Sequence, residues 1–283
     1  MPHGSARERQ NHRPALPREI AGLSILMPTL VLLPGMDGTG RLFAPLLAEL
    51  EGLLPARVMT YPAKQALGYE ALESLVRDTL PMPPYVLLGE SFSGPIAISI
   101  AASRPHGLVG VVLACTFARN PRPLPAALHR LLARLPVKRA PRFVVDRCLL
   151  GAKPRRELRD RLDEVLAEVD GAVLAARLEA IARVDVTDRL EAIDVPVLSL
   201  VARHDMLVPR RASSDLARLA PRVREVVLDG PHALLQTHAD AAGHAIVEFV
   251  SRLDASANAV DAGNDDGACD ATARAGTGWR RGD

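Results

Sequence analysis

Ser91 lies in the segment LLGESFSG (residues 87–94), which follows an apolar run of strand length and precedes a helical pattern. A serine at a sharp turn between a strand and a helix exposes its hydroxyl and has free helix N–H groups beside it. The turn crowds the backbone, so small residues must flank the serine. Gly89 meets this requirement on one side, and Ser93 followed by Gly94 meets it on the other. The segment therefore favours a nucleophilic serine over one that only caps a helix.

A serine hydroxyl needs a general base, and His232 is the best placed of the eight histidines. It follows a predicted strand in the turn Asp-Gly-Pro-His, at the strand end where open α/β sheets bind ligands. Asp205 follows the preceding predicted strand and is expected to orient the imidazole, with Asp229 and Asp194 as alternatives. The chain order is thus serine, acid, histidine, which differs from the orders in chymotrypsin and subtilisin.

A glycine-rich loop, LPGMDGTG (residues 33–40), follows the first predicted strand. It lacks Gly-Lys-Ser/Thr and its glycine spacing does not fit a dinucleotide fingerprint, so it is not interpreted as a phosphate loop. Its glycines let the backbone approach a ligand closely. We predict that the backbone N–H groups of Met36 and Phe92 form an oxyanion hole. This chemistry needs no metal and no organic cofactor.

Short apolar runs alternate with amphipathic segments along most of the chain, which predicts a doubly wound, mostly parallel α/β sheet of about six strands. The predicted strands are residues 30–33, 57–60, 85–88, 109–114, 197–201 and 224–228. The predicted crossover helices are residues 42–50, 69–80, 93–102, 211–219 and 239–253.

The alternation stops between residues 118 and 190, where the pattern is helical only, with helices predicted at 125–135 and 157–184. This segment is predicted to be a helical insertion into a core formed by residues 27–117 and 191–254. Residues 1–26 and 255–283 carry few bulky apolar side chains and are predicted to be disordered.

The composition of the 283 residues excludes several classes of protein. Aromatic residues make up 3% and the net charge is +2, which argues against a nucleic-acid-binding protein. No apolar stretch reaches the roughly 20 residues of a membrane span. The three cysteines form no Cys-x-x-Cys pair, which favours a reducing compartment and no structural zinc site. We therefore expect a cytoplasmic location.

The chain resembles an α/β-hydrolase-fold serine hydrolase over about residues 30–253. Its Pro-Gly-x-Asp-Gly-Thr-Gly loop and Gly-Glu-Ser-Phe-Ser-Gly elbow are similar to those of small bacterial carboxylesterases, including relatives of pimeloyl-carrier-protein methyl ester esterase. The resemblance implies a catalytic triad of Ser91, Asp205 and His232, and a helical cap over the active site. Pro34-Gly35 stands where family members often carry His-Gly.

The resemblance implies hydrolysis of a carboxylic ester or thioester, with a small-molecule acyl ester as substrate and its chain length left open. Transfer of the acyl group to an alcohol is the alternative enzymatic interpretation, because it uses the same acyl-enzyme. A non-catalytic receptor with a hydrolase fold is a third, and unrelated activities such as lyase or haloperoxidase chemistry also occur on this fold.

The insertion is strongly basic. Residues 119–156 contain eleven lysines and arginines and a single acidic residue, Asp146. This is either a solvated helix surface or a docking site for an anionic partner, such as acyl carrier protein, a coenzyme A ester or a phospholipid surface.

Overall fold

The protein is described here by a computed structural model covering residues 27–123 and 141–264. Its six strands pair in parallel in the order β2-β1-β3-β4-β5-β6. They are β1 (Thr29–Leu33), β2 (Ala56–Val58), β3 (Tyr85–Glu90), β4 (Leu108–Ala114), β5 (Val197–Ala202) and β6 (Val223–Leu228). The predicted doubly wound parallel sheet is confirmed. The predicted disorder of residues 1–26 concerns a segment outside the described residues.

The central strands are apolar on both faces because helices cover both sides of the sheet. Alternate residues of β1 enter two different hydrophobic clusters: Val31 and Leu33 one of them, Leu30 and Leu32 the other. All four side chains are fully buried. This two-sided burial is the physical reason for the continuous apolar runs in the sequence.

Residues 27–123 and 141–264 contain nine α-helices. They are α1 (Ala44–Leu50), α2 (Tyr69–Arg77), α3 (Gly94–Ala102), α4 (Arg142–Leu149), α5 (Arg156–Glu168), α6 (Gly171–Arg183), α7 (Arg210–Leu219), α8 (Leu234–Thr237) and α9 (Ala239–Asn264). Helices α2, α3 and α7 pack on the sheet face that carries Val31. Helices α1, α8 and α9 pack on the opposite face.

The strand order creates a crevice at the carboxyl ends of β1 and β3. From β1 the chain crosses to β2 on one side, and it later returns as β3 on the other side of β1. The loops that leave β1 and β3 therefore diverge, and ligands bind at such a switch point in open α/β sheets. The glycine-rich loop follows β1 and Ser91 follows β3 directly.

Helices α4, α5 and α6 lie between β4 and β5, in the segment predicted to be a helical insertion. An isolated antiparallel bridge between Arg119 and Asp185 joins the two ends of this segment. The predicted helix at residues 125–135 lies outside the described residues. The division into a core and an inserted cap stays a prediction.

The last helix is longer than predicted. Helix α9 continues to Asn264, so residues 255–264, predicted to be disordered, are helical. The reason is local: this stretch contains four alanines, the residue with the highest helix propensity. Residues 265–283 lie outside the described part of the chain. Within the described ranges, no helix is long and apolar enough to cross a membrane.

Candidate active site

Three side chains from three different loops form one chain of hydrogen bonds. Ser91 Oγ lies 2.8 Å from His232 Nε2, and His232 Nδ1 lies 2.7 Å from Asp205 Oδ2. The side chains of His232 and Asp205 are 6% and 4% exposed, so the pair is shielded from water. The structure thus brings together the serine, the histidine and the acid that the sequence analysis selected.

The two alternative acids lie elsewhere. Asp229 lies 2.9 Å from His204 Nε2, and Asp194 forms a 3.3 Å ion pair with Arg104. The selected acid is held by the backbone: the N–H groups of residues 207 and 208 donate to Asp205 Oδ1 at 2.8 and 2.7 Å. Because Oδ1 is occupied in this way, Oδ2 stays directed at the imidazole.

Ser91 occupies a strained turn. Its φ of 47° lies in the left-handed region, and it is the first residue of a 3₁₀ turn that leads into α3. A Cβ at Gly89 would lie 2.9 Å from Ala97 Cβ, and a Cβ at Gly94 would lie 1.9 Å from Thr116 Oγ1. The close approach after the serine is therefore made at Gly94, which explains why position 93 tolerates a side chain.

Ser93 connects the serine turn to the glycine-rich loop, a role that the sequence analysis missed. Its buried hydroxyl donates to the carbonyl of Pro34 and lies 2.7 Å from the hydroxyl of Tyr61. Burial raises the pKa of the Tyr61 phenol, which keeps it a neutral hydrogen-bonding partner. The serine turn and the loop are thus fixed relative to each other.

The two amides predicted to form an oxyanion hole belong to these two segments. The Gly38 N–H donates to the Gly35 carbonyl at 3.0 Å, closing a turn with Met36 at its outer side, and Met36 lines the cavity beside Ser91. The amide of Phe92 lies at the start of a helical turn, where N–H groups have no intrahelical acceptor. The Phe92 ring stacks on Tyr69 at 4.8 Å, which anchors this residue.

Glu90, immediately before the serine, is a buried acid to which the sequence analysis assigned no role. It is 8% exposed, lines the same cavity and accepts a 2.8 Å hydrogen bond from Gln236 Nε2. Burial raises the pKa of its carboxyl to about 7, against the lowering effect of the Gln236 hydrogen bond. A strongly shifted carboxyl next to Ser91 is a feature of functional sites.

Arg177 on α6 is a second residue that the sequence analysis missed. It is 1% exposed and its guanidinium donates to the carbonyls of Met36, Asp37 and Pro62. Burial lowers its pKa, an effect opposed by the nearby Asp37 carboxylate. Its three acceptors are main-chain carbonyls, which every residue type supplies, so no sequence pattern predicts them.

An apolar cavity of about 470 Å³ opens beside Ser91 and His232. Much of its wall comes from helices α4, α5 and α6: Leu149, Leu158, Leu162, Leu166, Ala175, Leu178, Ile181 and Ala182. Such a wall suits a hydrocarbon chain. Among the residues that the structure describes, no group of three or more His, Cys, Asp or Glu side chains could hold a metal ion.

Ion pairs reduce the free positive charge of residues 119–156 below what the composition of this stretch suggests. Arg119 pairs with Asp215 at 2.7 Å, and Arg142 pairs with both Asp146 and Asp163. Two of these three acids lie outside residues 119–156, so the segment alone overstates the net charge of this surface. Residues 124–140, which carry four of its basic side chains, lie outside the described residues.

Comparison with known proteins identifies relatives over most of the chain. Residues 69–236 match the family model described as "Serine aminopeptidase, S33". The "Putative carbamate hydrolase RutD" of Pseudomonas savastanoi pv. phaseolicola is 30% identical over 229 residues, which cover 73% of this chain and 87% of the relative.

A second relative is the pimeloyl-[acyl-carrier protein] methyl ester esterase of Vibrio campbellii. It is 27% identical over 246 residues, covering 79% of this chain and 95% of that protein. Among solved structures, the enol-lactonase from Burkholderia xenovorans LB400 superposes with a TM-score of 0.67 at 22% identity, covering 79% of this chain and 91% of the lactonase. That structural likeness shows a shared fold.

Proposed function

The chain belongs to the serine aminopeptidase S33 family of α/β hydrolases, and from this premise we propose that it is a serine hydrolase that cleaves a carboxylic ester or thioester. The observation that carries the proposal is the hydrogen-bonded sequence Ser91, His232, Asp205 beside an apolar cavity. This is the arrangement that activates a serine hydroxyl.

The proposed reaction runs through an acyl-enzyme. Ser91 Oγ attacks the acyl carbon while His232 Nε2 accepts the hydroxyl proton, and Asp205 holds the imidazole and stabilises its cation. His232 then returns the proton to the leaving alcohol or thiol as the acyl–heteroatom bond breaks. Water repeats the sequence on the acyl-enzyme, so that the carboxylic acid is released and Ser91 regains its proton.

We propose that the amides of Met36 and Phe92 stabilise the negative oxygen of both tetrahedral intermediates. One amide lies within the glycine-rich turn and the other lies in the helical turn that begins at Ser91. Removing a single such donor costs about 3–4 kcal/mol in the transition state.

The cavity supports an aliphatic acyl group as the substrate class. Leucine, isoleucine and alanine side chains dominate its wall, and burial of each methylene contributes about 0.8 kcal/mol, or roughly a fourfold gain in kcat/KM. The two relatives are named for cleavage of a carbamate and of a methyl ester, both of which join a carbonyl carbon to a leaving heteroatom. We therefore propose an ester or thioester of a medium or long aliphatic acid.

Acyl transfer to an alcohol is an alternative outcome of the same acyl-enzyme. The two reactions differ only in whether water or an alcohol reaches the acyl carbon. Addition of a long-chain alcohol to the assay separates them, because a transferase forms the new ester at the expense of the free acid.

Docking of an anionic carrier on residues 119–156 stays a prediction. One relative is named for a substrate attached to acyl carrier protein, which supports it, whereas the ion pairs of Arg119 and Arg142 reduce the free positive charge. A docked carrier substrate would lose kcat/KM steeply with added salt, and a small p-nitrophenyl ester would not. Equal salt dependence of the two substrates would contradict carrier docking.

A cytoplasmic location is also proposed. Its support is the cysteine chemistry: Cys115 and Cys148 are free thiols, and Cys115 is buried. Burial raises the pKa of the Cys115 thiol, which keeps it unreactive.

The test is hydrolysis of p-nitrophenyl esters from acetate to palmitate by the wild type, Ser91→Ala and Ser214→Ala. Ser214 is an exposed serine on α7 and serves as the matched control. We expect Ser91→Ala to lower kcat by on the order of 10⁶ and Ser214→Ala to have no effect. We also expect kcat/KM to rise with chain length until the cavity is filled. Retained activity in Ser91→Ala would refute the proposal.

A further inference from the structure

Arg177 projects from helix α6 of the insertion into the core and is almost fully buried. Its Nη1 donates to the carbonyls of Met36 and Asp37, both at 2.8 Å, and its Nη2 donates to the carbonyl of Pro62 at 3.0 Å. In the described part of the chain, its buried Nε has no hydrogen-bond partner. A buried cation with main-chain acceptors and one unpaired donor is a poor way to gain stability. Its presence therefore calls for another explanation.

The carbonyl groups of residues 34–38, the turn of the glycine-rich loop, all accept hydrogen bonds. Arg177 supplies the donors for two neighbouring carbonyls, those of Met36 and Asp37. The other three have different donors: Pro34 accepts from Ser93 Oγ, Gly38 accepts from the Tyr61 amide, and Gly35 accepts from the Gly38 amide within the turn. Each of the five carbonyls is thus fixed in direction by its donor.

These hydrogen bonds affect the surroundings and direction of the Met36 N–H, the amide predicted to face the oxyanion. In a trans peptide the C=O and N–H point in opposite directions. Because the Gly35 carbonyl turns inward to Gly38, the Met36 N–H points out of the turn. If the next peptide plane rotated, its carbonyl oxygen would approach the same space and repel a developing negative charge. The bond from Arg177 to the Met36 carbonyl opposes that rotation.

The sequence leaves room for this contact. Gly38 has a φ of +73°, and a Cβ there would lie 2.6 Å from Arg177 Nη1 and 2.9 Å from Tyr61 Cβ. The guanidinium also lies over the Tyr61 ring, 5.7 Å from its centroid. Glycine at position 38 thus serves both the backbone conformation and the close approach of the arginine.

We infer that Arg177 is a positioning residue on helix α6 that holds the Met36 and Asp37 carbonyls, so that the Met36 carbonyl does not rotate into the space where the Met36 amide meets the acyl oxygen. The inference rests on the proposed function, since it needs an acyl oxygen that becomes negative. Helix α6 also lines the cavity through Leu178 and Ile181, so one element contacts both the acyl chain and the loop.

The test compares Arg177→Met and Arg177→Lys with Arg183→Met, a control on the same helix whose exposed arginine pairs with Glu179. The readouts are kcat and KM for p-nitrophenyl butyrate, and Ki for a trifluoromethyl ketone. The ketone adds to Ser91 and places an oxyanion in the hole.

For Arg177→Met we expect kcat to fall by about 10²–10³ with KM nearly unchanged, and Ki for the ketone to rise by a similar factor. Arg177→Lys should lie between Arg177→Met and the wild type. A purely structural role would reduce the amount of active enzyme, and therefore kcat, without changing Ki for the ketone.

Wild-type kcat and ketone Ki in either folded Arg177 variant would overturn the inference, and so would loss of folded protein in both, which would make Arg177 a structural residue. If Arg177→Met alone fails to fold, Arg177→Lys decides by the same two readouts. The proposed function fails separately: it is refuted if Ser91→Ala keeps its activity, whatever the Arg177 variants do.

Discussion

Replacement of Glu90 by glutamine should change how the stability of the protein depends on pH. The Glu90 carboxyl is 8% exposed, and burial raises its pKa from the ordinary 4.5 to about 7. The folded protein therefore holds this proton more tightly than the unfolded chain does. The protonated Glu90 carboxyl therefore makes its full contribution to the free energy of unfolding below about pH 4.5. This contribution is lost as the pH rises towards 7 and does not return at higher pH.

The size of the effect follows from the two pKa values. A carboxyl that titrates near 7 in the folded state and near 4.5 in the unfolded state changes the free energy of unfolding by about 3 kcal/mol across this interval. Glutamine has the shape of the protonated acid, and its carbonyl can still accept from Gln236 Nε2. As the pH rises, the wild type should lose this free energy of unfolding and Glu90→Gln should not. We therefore expect the variant to become more stable relative to the wild type.

The assay is urea unfolding followed by far-ultraviolet circular dichroism at several pH values between 4.5 and 8. At each pH, the free energy of unfolding of Glu90→Gln is subtracted from that of the wild type, which removes the contribution of the groups that titrate alike in both proteins. Glu51→Gln, which replaces an exposed glutamate, is the control. A difference between the wild type and Glu90→Gln that stays constant across this pH range would refute the assignment of a raised pKa to Glu90.

Three further changes test the site. Asp205→Asn should lower kcat by on the order of 10³–10⁴ because the imidazole loses its oriented partner, and an unchanged kcat would make Asp205 dispensable. Gly94→Ala, whose Cβ would lie 1.9 Å from Thr116 Oγ1, should lower the free energy of unfolding by at least about 1–3 kcal/mol, and an unchanged melting temperature would contradict the crowding argument. Leu162→Phe should shift the preferred p-nitrophenyl ester to a shorter chain and spare the acetate, since Leu162 lines the cavity. An unchanged chain-length profile would place the acyl group elsewhere.

The strands of the sheet were predictable because burial of a strand selects apolar residue types within that strand itself. The four central strands are almost completely buried and mostly apolar, whereas the edge strands β2 and β6 are partly exposed and carry charged residues. All six predicted strands end within two residues of the observed ends. Ser91, Asp205 and His232 were predictable for a related reason. Each follows a strand within a few residues, and the carboxyl ends of parallel strands meet at one edge of the sheet.

The residues that support the site could not be predicted in the same way. Arg177 bonds main-chain carbonyls 115 to 141 positions away, and any residue type supplies a carbonyl. The bridging role of Ser93 was missed because its partner, the Pro34 carbonyl, is also main chain. Burial in the tertiary fold raises the pKa of Glu90, and the residue types next to it in the sequence do not reveal that burial. The end of α9 was missed because a polar composition outweighed the helix propensity of its alanines.

The central claim is that the acyl group passes through Ser91. The most direct measurement is acid quenching of the enzyme during turnover of p-nitrophenyl octanoate, followed by peptide mass spectrometry. We predict an octanoyl group on Ser91 within the peptide that spans the serine turn, and no such adduct in Ser91→Ala. Turnover with Ser91 unmodified, or an octanoyl group on another residue, would contradict it.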